Sequence, residues 1–243
     1  MAAQRKLLAQ LRKLRPTKIK NAVRRRWFEH QIERTPLRKT PGIVHLGDEA
    51  YGGWTIPGSL VESSWICYSV GAGGDITFDL DLIHRYGITV RSFDPVESYV
   101  QGAQAEAAGE PRFSAHHAAI AKNDGPLRMQ ITHDPTSQSV SSAGLYETEQ
   151  FIELPGRSLQ SLMNELGDDR IDLLKLDIEG GEYELLRDLD LPSLGVKVFA
   201  VQLHHVGSVA EARSVIAQLA AAGYDPVACR PAVKLAFARR DLL

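Results

Sequence analysis

A chain of 243 residues that is 44% hydrophobic can bury one large core, and it is too long to need disulfide staples. Its net charge of -2 hides a division: residues 1–41 hold 13 Lys and Arg against only Glu29 and Glu33, for +11, while residues 42–243 carry -13. No apolar run approaches the roughly 18 residues of a membrane-spanning helix and no secretory signal is evident, so a cytoplasmic protein is expected.

The basic segment opens with a helical pattern in which Leu7, Leu8, Leu11 and Leu14 share one face among Arg5, Lys6, Arg12 and Lys13, and Pro16 interrupts it. Such an arm could lie on anionic lipid, so the protein could be peripheral at the membrane. It could also bind nucleic acid or mediate self-association. A nucleic-acid enzyme is nonetheless disfavoured, because the acidic remainder would repel phosphate. Residues 35–64 read as an irregular connection in which Tyr51, Trp54 and Ile56 need burial.

From there strands and helices alternate. Trp65–Val70 is a strand, Phe78–Gly87 a helix closed by its glycine, Thr89–Phe93 a strand, and 97–109 a helix. Phe113–Ile120 is expected as a third strand, Arg157–Leu166 as a helix, and Ile171–Leu176 as a buried strand broken by Asp172 and Lys175. Val196–His205, Val209–Tyr224, Asp225–Arg230 and Val233–Arg239 read as strand, helix, strand, strand. The alternation predicts a largely parallel sheet covered on both faces, and the closing hairpin predicts one antiparallel edge strand. Cys67 and Cys229 lack zinc-site spacing and read as core thiols, with one disulfide left open.

Two stretches carry chemistry. "YSVGAGGDITFD" follows a strand and opens a helix: Gly71 permits the tight turn, while Gly73 and Gly74 let a ligand approach the backbone. Asp94 ends the next strand 23 residues after Gly71, near the ~20 at which a carboxylate meets ribose hydroxyls. A nucleoside cofactor is therefore expected. A dinucleotide fingerprint would need glycine at Ile76, and Asp75 is awkward beside a pyrophosphate, which disfavours NAD and an oxidoreductase. S-adenosylmethionine, with a ribose and no phosphate, suits the loop better. The second stretch, "LLKLDIEGGEYELL" (Leu173–Leu186), runs from strand through Asp177, Glu179 and two glycines into a helix. Asp177 and Glu179 then lie at the carboxyl edge of the sheet, where ligands bind, although capping of the helix would also explain acidic residues there.

Together "GAGGDITFD", "SFDP", "LLKLDIEGGEYELL" and the preceding "YGGWTIP" resemble FkbM-type S-adenosylmethionine-dependent methyltransferases over roughly residues 47 to 240. The resemblance implies an α/β, Rossmann-like class I methyltransferase fold in residues 42–243, a mostly parallel seven-stranded sheet with helices on both faces, preceded by the basic helical extension 1–41. It implies methylation of a hydroxyl on a sugar, glycan or secondary metabolite. By residue, Gly71, Ala72, Gly73 and Asp75 would line the methionine part, Asp94 with Pro95 would hold the ribose, and Ala119 or Ile120 would sit by adenine. Asp177 and Glu179 would face cofactor and acceptor. Ser69 stands where an acidic residue is usual in that family, a grip that Asp75 could supply, and Gln202 stands where Glu is frequent.

Methyl transfer from a sulfonium needs alignment and removal of a hydroxyl proton. Glu179 and His204, with His205 beside it, are the candidate bases. The same side chains could ligate a divalent ion, but no spacing specifies one. A non-catalytic domain that binds a nucleoside cofactor as a regulator or scaffold is the alternative.

Overall fold

A computed structural model gives the architecture and describes residues 16–132, 139–143, 145 and 148–243. The expected leucine-faced helix of residues 5–14 lies outside them. Pro16 is the first residue of α1 (Pro16–Ile32), a place where a residue without an N–H is tolerated. The connection that follows contains an antiparallel pair, β1 (Ile43–Leu46) and β2 (Trp54–Pro57). Trp54 and Ile56 are buried as expected, but Tyr51 is 68% exposed, since it sits at the tip between the two strands.

The alternating region folds as β3 (Ile66–Val70), α2 (Thr77–Tyr86), β4 (Thr89–Asp94), α3 (Glu97–Glu106) and β5 (Phe113–His117). Gly87 ends α2 in the left-handed conformation, at φ 70°. After an insertion come α4 (Leu159–Leu166), β10 (Leu173–Leu176), α5 (Glu182–Leu186), β11 (Val198–Gln202), α6 (Val209–Ala221), β12 (Tyr224–Arg230) and β13 (Lys234–Arg239). The insertion holds β6 (Ala119–Ile120), β7 (Gly125–Ile131), β8 (Val140–Ser141) and β9 (Phe151–Arg157).

The main sheet has the order β12-β13-β11-β10-β3-β4-β5 and is mixed. The strands from β11 to β5 pair in parallel, whereas β13 pairs antiparallel with both β11 and β12. The reversed strand is thus one place in from the edge and not at it, because the hairpin returns between its own first strand and β11. Alternate residues of each central strand enter different cores. Tyr68, Val70, Leu174, Leu176, Phe199 and Val201 face α4, α5 and α6, while Cys67, Leu173, Val198 and Ala200 face α2 and the β1–β2 pair. The small residues on the second face leave room for Trp54 and Trp65.

The expected strand Phe113–Ile120 divides at Ala118. Its first part closes the main sheet, and its last two residues start a separate four-stranded sheet, β6-β9-β7-β8. Asp172, one of the two charges in the buried strand motif, is wholly buried at the sheet's far end, where it accepts from Ile66 N and pairs with Arg170 and Lys197. Both cysteines are free. Among the described residues, no helix is long and apolar enough to cross a membrane.

The described part of the basic segment packs on the core: Phe28 and Ile32 of α1 are buried among Val215 and Leu219 of α6. Trp27 points away and is 57% exposed. Phe28→Ala should therefore cost about 3–5 kcal/mol in chemical denaturation, and Trp27→Ala no more than about 0.5 kcal/mol. Equal effects of the two substitutions would contradict this packing.

Candidate active site

The carboxyl ends of β3, β4, β10 and β11 open onto a cavity of about 300 Å³. Its glycine loop uses its glycines differently. A side chain at Gly71, φ 73°, would bring Cβ to 1.7 Å from the Asp177 carbonyl, because the chain leaving β10 crosses directly over it. At Gly73, φ 62°, a Cβ would meet nothing nearer than the Tyr51 hydroxyl at 3.7 Å, so this face of the backbone opens onto the cavity.

Asp94 holds the loop. One carboxylate oxygen accepts from Gly73 N at 2.9 Å and the other from Val96 N at 2.8 Å. Burial pushes its pKa up and these two N–H donors pull it back. Asp75 works similarly at the next turn, accepting from the Thr77 N–H and hydroxyl and, through its other oxygen, from Gly52 N. Lys175 supports the loop from below: its ammonium is buried and donates to the Gly71 carbonyl at 2.5 Å. Beneath it Asp79 is pushed up to about 6 by burial, against the opposing influence of Lys175 and the Ser69 and Ser92 hydroxyls.

The cavity has an apolar end and a charged end. Ala118, Ala119 and Ile120 line the first, with Met129 and Val140 contributed by the inserted sheet. At the other end stand Asp177, Glu179, Gln202 and Lys234. Glu179 has φ 54°, a left-handed conformation rare outside glycine, and the Ser141 hydroxyl donates to its carbonyl. Lys234 donates to the carbonyls of Tyr51 and Gly53, so the loop carrying Tyr51 is tied across the mouth. Ala232 and Val233, both at positive φ, form the turn that delivers this lysine.

All the residues expected at a cofactor line this cavity: Ser69, Gly71, Ala72, Gly73, Asp75, Asp94, Pro95, Ala119, Ile120 and Asp177. Glu179 joins them, but His204 does not. It lies behind the two carboxylates, with Nδ1 donating to Glu182 at 2.9 Å and Nε2 at 3.7 Å from Asp177 and 3.5 Å from Glu179. Burial pulls the imidazole's pKa down, but Glu182, and then Asp177 and Glu179, outweigh it and lift the group to about 9. His204 thus stands outside the cavity lining among carboxylates that favour its protonated form, and of the two candidate bases Glu179 is the one that reaches the cavity. His205 is also outside the cavity lining, and its pKa is lowered by burial.

Sequence reading missed Lys175, Glu182, Tyr51 and Lys234. For the first two a signal existed: a lysine in the middle of an apolar strand, and a glutamate on the buried side of a short helix. For Lys234 and Tyr51 there was none, because their neighbours come from opposite ends of the chain.

Residues 70–226 match the family model described as the methyltransferase FkbM domain. Among solved structures, the fibrillarin pre-rRNA processing protein of Methanococcus jannaschii is similar at 10% identity and a TM-score of 0.45, over 74% of this chain and 68% of that one. No curated protein matches at a significant level.

Asp79 supplies a test of the cavity's electrostatics. Its folded pKa of about 6 exceeds its ordinary 3.8, so its contribution to stability is full below 3.8 and is lost as pH rises through 6. Asp79→Asn escapes that loss. Its stability relative to wild type should improve between about pH 4 and pH 7, by up to about 3 kcal/mol in denaturant titrations. A difference that does not change with pH would show that Asp79 is not held in this environment.

Proposed function

The chain belongs to the FkbM methyltransferase family, and from that membership we propose that it is a class I, S-adenosylmethionine-dependent O-methyltransferase acting on a hydroxyl of a sugar, glycan or secondary metabolite. The observation that carries this reading is the facing of two structures across one cavity: the open Gly73 beside the clamped Asp94, and the Asp177–Glu179 carboxylates opposite.

The residues fit the cofactor. The exposed backbone at Gly73 is a cradle that any side chain would fill, and the apolar end at Ala119 and Ile120 suits a purine face. Asp94 would accept from the ribose hydroxyls with the lone pairs left after its two backbone bonds. Asp75 and Asp177 would attract the cofactor's positive charges. When bound, S-adenosylmethionine supplies an electrophilic methyl on a sulfonium. The chain's own residues then orient the acceptor and remove its proton. Glu179 reaches the cavity, and its carboxylate is the group proposed to accept the hydroxyl proton. His204 positions that carboxylate and Asp177 from behind.

The outer face of α1 supports a further part of the reading. Val23 and Trp27, four residues apart, are exposed on a helix that also carries Arg24, Arg25 and Arg26. An exposed aromatic among cations on an otherwise acidic molecule suits an anionic lipid surface. We assign the chain to the cytoplasm, in keeping with its two free thiols, with peripheral contact through this helix.

Incubating the protein and S-adenosylmethionine with extracts of its own cell should produce S-adenosylhomocysteine; tight cofactor binding with no such product would favour the scaffold alternative. Asp94→Asn should weaken cofactor binding by about 1.5–3 kcal/mol in calorimetry, the scale of a lost charged hydrogen bond. Glu179→Gln should lower single-turnover methyl transfer about 100-fold or more with cofactor affinity retained. Trp27→Ala should reduce sedimentation with phosphatidylglycerol vesicles, and salt should weaken what remains; binding that ignores both would remove α1 as the contact.

A further inference from the structure

Ser69 and Asp79 line the cavity and are only 1% and 2% exposed, yet Ser69 Oγ and Asp79 Oδ2 have no hydrogen-bond partner among the described residues. The Ser69 and Ser92 hydroxyls lie near enough to favour the charge on Asp79 without completing a bond to Oδ2. A carboxylate left so costs the fold stability, and a ligand that donates to it recovers the loss. The other two carboxylates that flank the glycine loop are engaged. Asp75 accepts from Thr77 N, the Thr77 hydroxyl and Gly52 N, and Asp94 accepts from Gly73 N and Val96 N.

The surroundings indicate which ligand group fits. Asp79 comes from α2 and Ser69 from β3, with Trp54 and Phe78 in the same lining. The Lys175 ammonium acts on Asp79 from β10, and of its three N–H groups one goes to the Gly71 carbonyl. Two acceptors beside a cationic donor match an α-amino acid group, whose ammonium needs acceptors and whose carboxylate needs a cation. A purine or a sugar ring carries no such pair of charges.

We propose that Asp79 and Ser69 hold the α-ammonium at the methionine end of S-adenosylmethionine, with Lys175 toward its carboxylate. This assignment rests on the S-adenosylmethionine reading. It moves the acidic grip off the strand, where Ser69 stands in place of an acid, and onto a helix residue eight positions after Gly71. Asp75, its oxygens already engaged, contributes charge rather than a direct bond. Binding is then tied to protonation, because Asp79 receives an ammonium best when ionised and burial holds its carboxyl up at about 6 in the free protein. Lys175 from β10 opposes that rise and Asp75 from the loop adds to it, while Cys67 of β3 is the other titratable group facing Asp79.

The test is calorimetry of the full-length protein with S-adenosylhomocysteine and with its deamino analogue, for wild type, Asp79→Asn and Ser69→Ala. Wild type should bind S-adenosylhomocysteine about 10–100-fold more tightly than the deamino analogue, the scale of a charged hydrogen bond. Asp79→Asn should lose that preference by weakening the first ligand and not the second, and Ser69→Ala should reduce it by less. The advantage of wild type over Asp79→Asn should also shrink about tenfold between pH 7 and pH 5, a change that a merely structural role for Asp79 does not produce. Equal binding of the two ligands by wild type overturns the assignment and leaves the cofactor reading intact. So does a folded Asp79→Asn that weakens both ligands alike, or neither. If melting curves show that Asp79→Asn unfolds, Ser69→Ala carries the comparison, and an unchanged preference in that variant overturns the assignment. Failure of wild type to bind either ligand defeats the cofactor reading, and the assignment with it.

Discussion

The close approach of the chain leaving β10 to the glycine loop that follows its parallel neighbour β3 is the constraint from which the rest of the cavity is set. Gly71 lies so close to the Asp177 carbonyl that no side chain fits between them, and the Lys175 ammonium reaches from β10 to the Gly71 carbonyl. A buried ammonium is costly unless it is paired and hydrogen-bonded. Here the carbonyl, the nearby Asp79 carboxylate and the Trp54 ring, 5.6 Å away, surround it. The loop after β3 and the acidic motif after β10 are therefore locked to one another, and their separation cannot vary without exposing a cation to an apolar core.

Charge is arranged in layers around this contact. Lys175 sits beneath the loop, the carboxylates of Asp75, Asp94, Asp177 and Glu179 ring the cavity, and Lys234 ties the loop of residues 51–53 across its mouth. The two lysines approach the Trp54 ring at 5.6 and 4.9 Å, so this one indole helps to hold both floor and rim. A surplus of acidic groups on a partly closed cavity favours a cationic ligand, in keeping with the proposed sulfonium cofactor.

The inserted sheet gives the cavity a wall that the main sheet could not. β7 and β8 contribute Met129 and Val140 beside Ala119 and Ile120, and Ser141 reaches across to the strained backbone of Glu179. A loop between regular elements can vary without disturbing the central strands, and the proposed choice of acceptor resides most naturally in such a segment.

The alternation of strands and helices, the glycine turn and the acidic strand end were legible because each is a local pattern: a run of apolar residues, a glycine where φ must be positive, a carboxylate at a strand terminus. Gly71, Gly73, Asp94, Asp177 and Glu179 could all be named on those grounds, and all line the cavity. The weakly patterned segment from residue 121 to 156 gave no such signal, since the short strands of a half-exposed sheet lack a continuous apolar run. The position of β13 between β11 and β12 was hidden for another reason: a hairpin specifies that two strands are neighbours, not which of them meets the rest of the sheet. His204 is the clearest case. By itself the sequence determined that a histidine follows β11 and that an acidic motif follows β10; only the tertiary structure decided that the ring is held by Glu182 and faces Asp177 and Glu179, because packing brings together residues more than twenty positions apart.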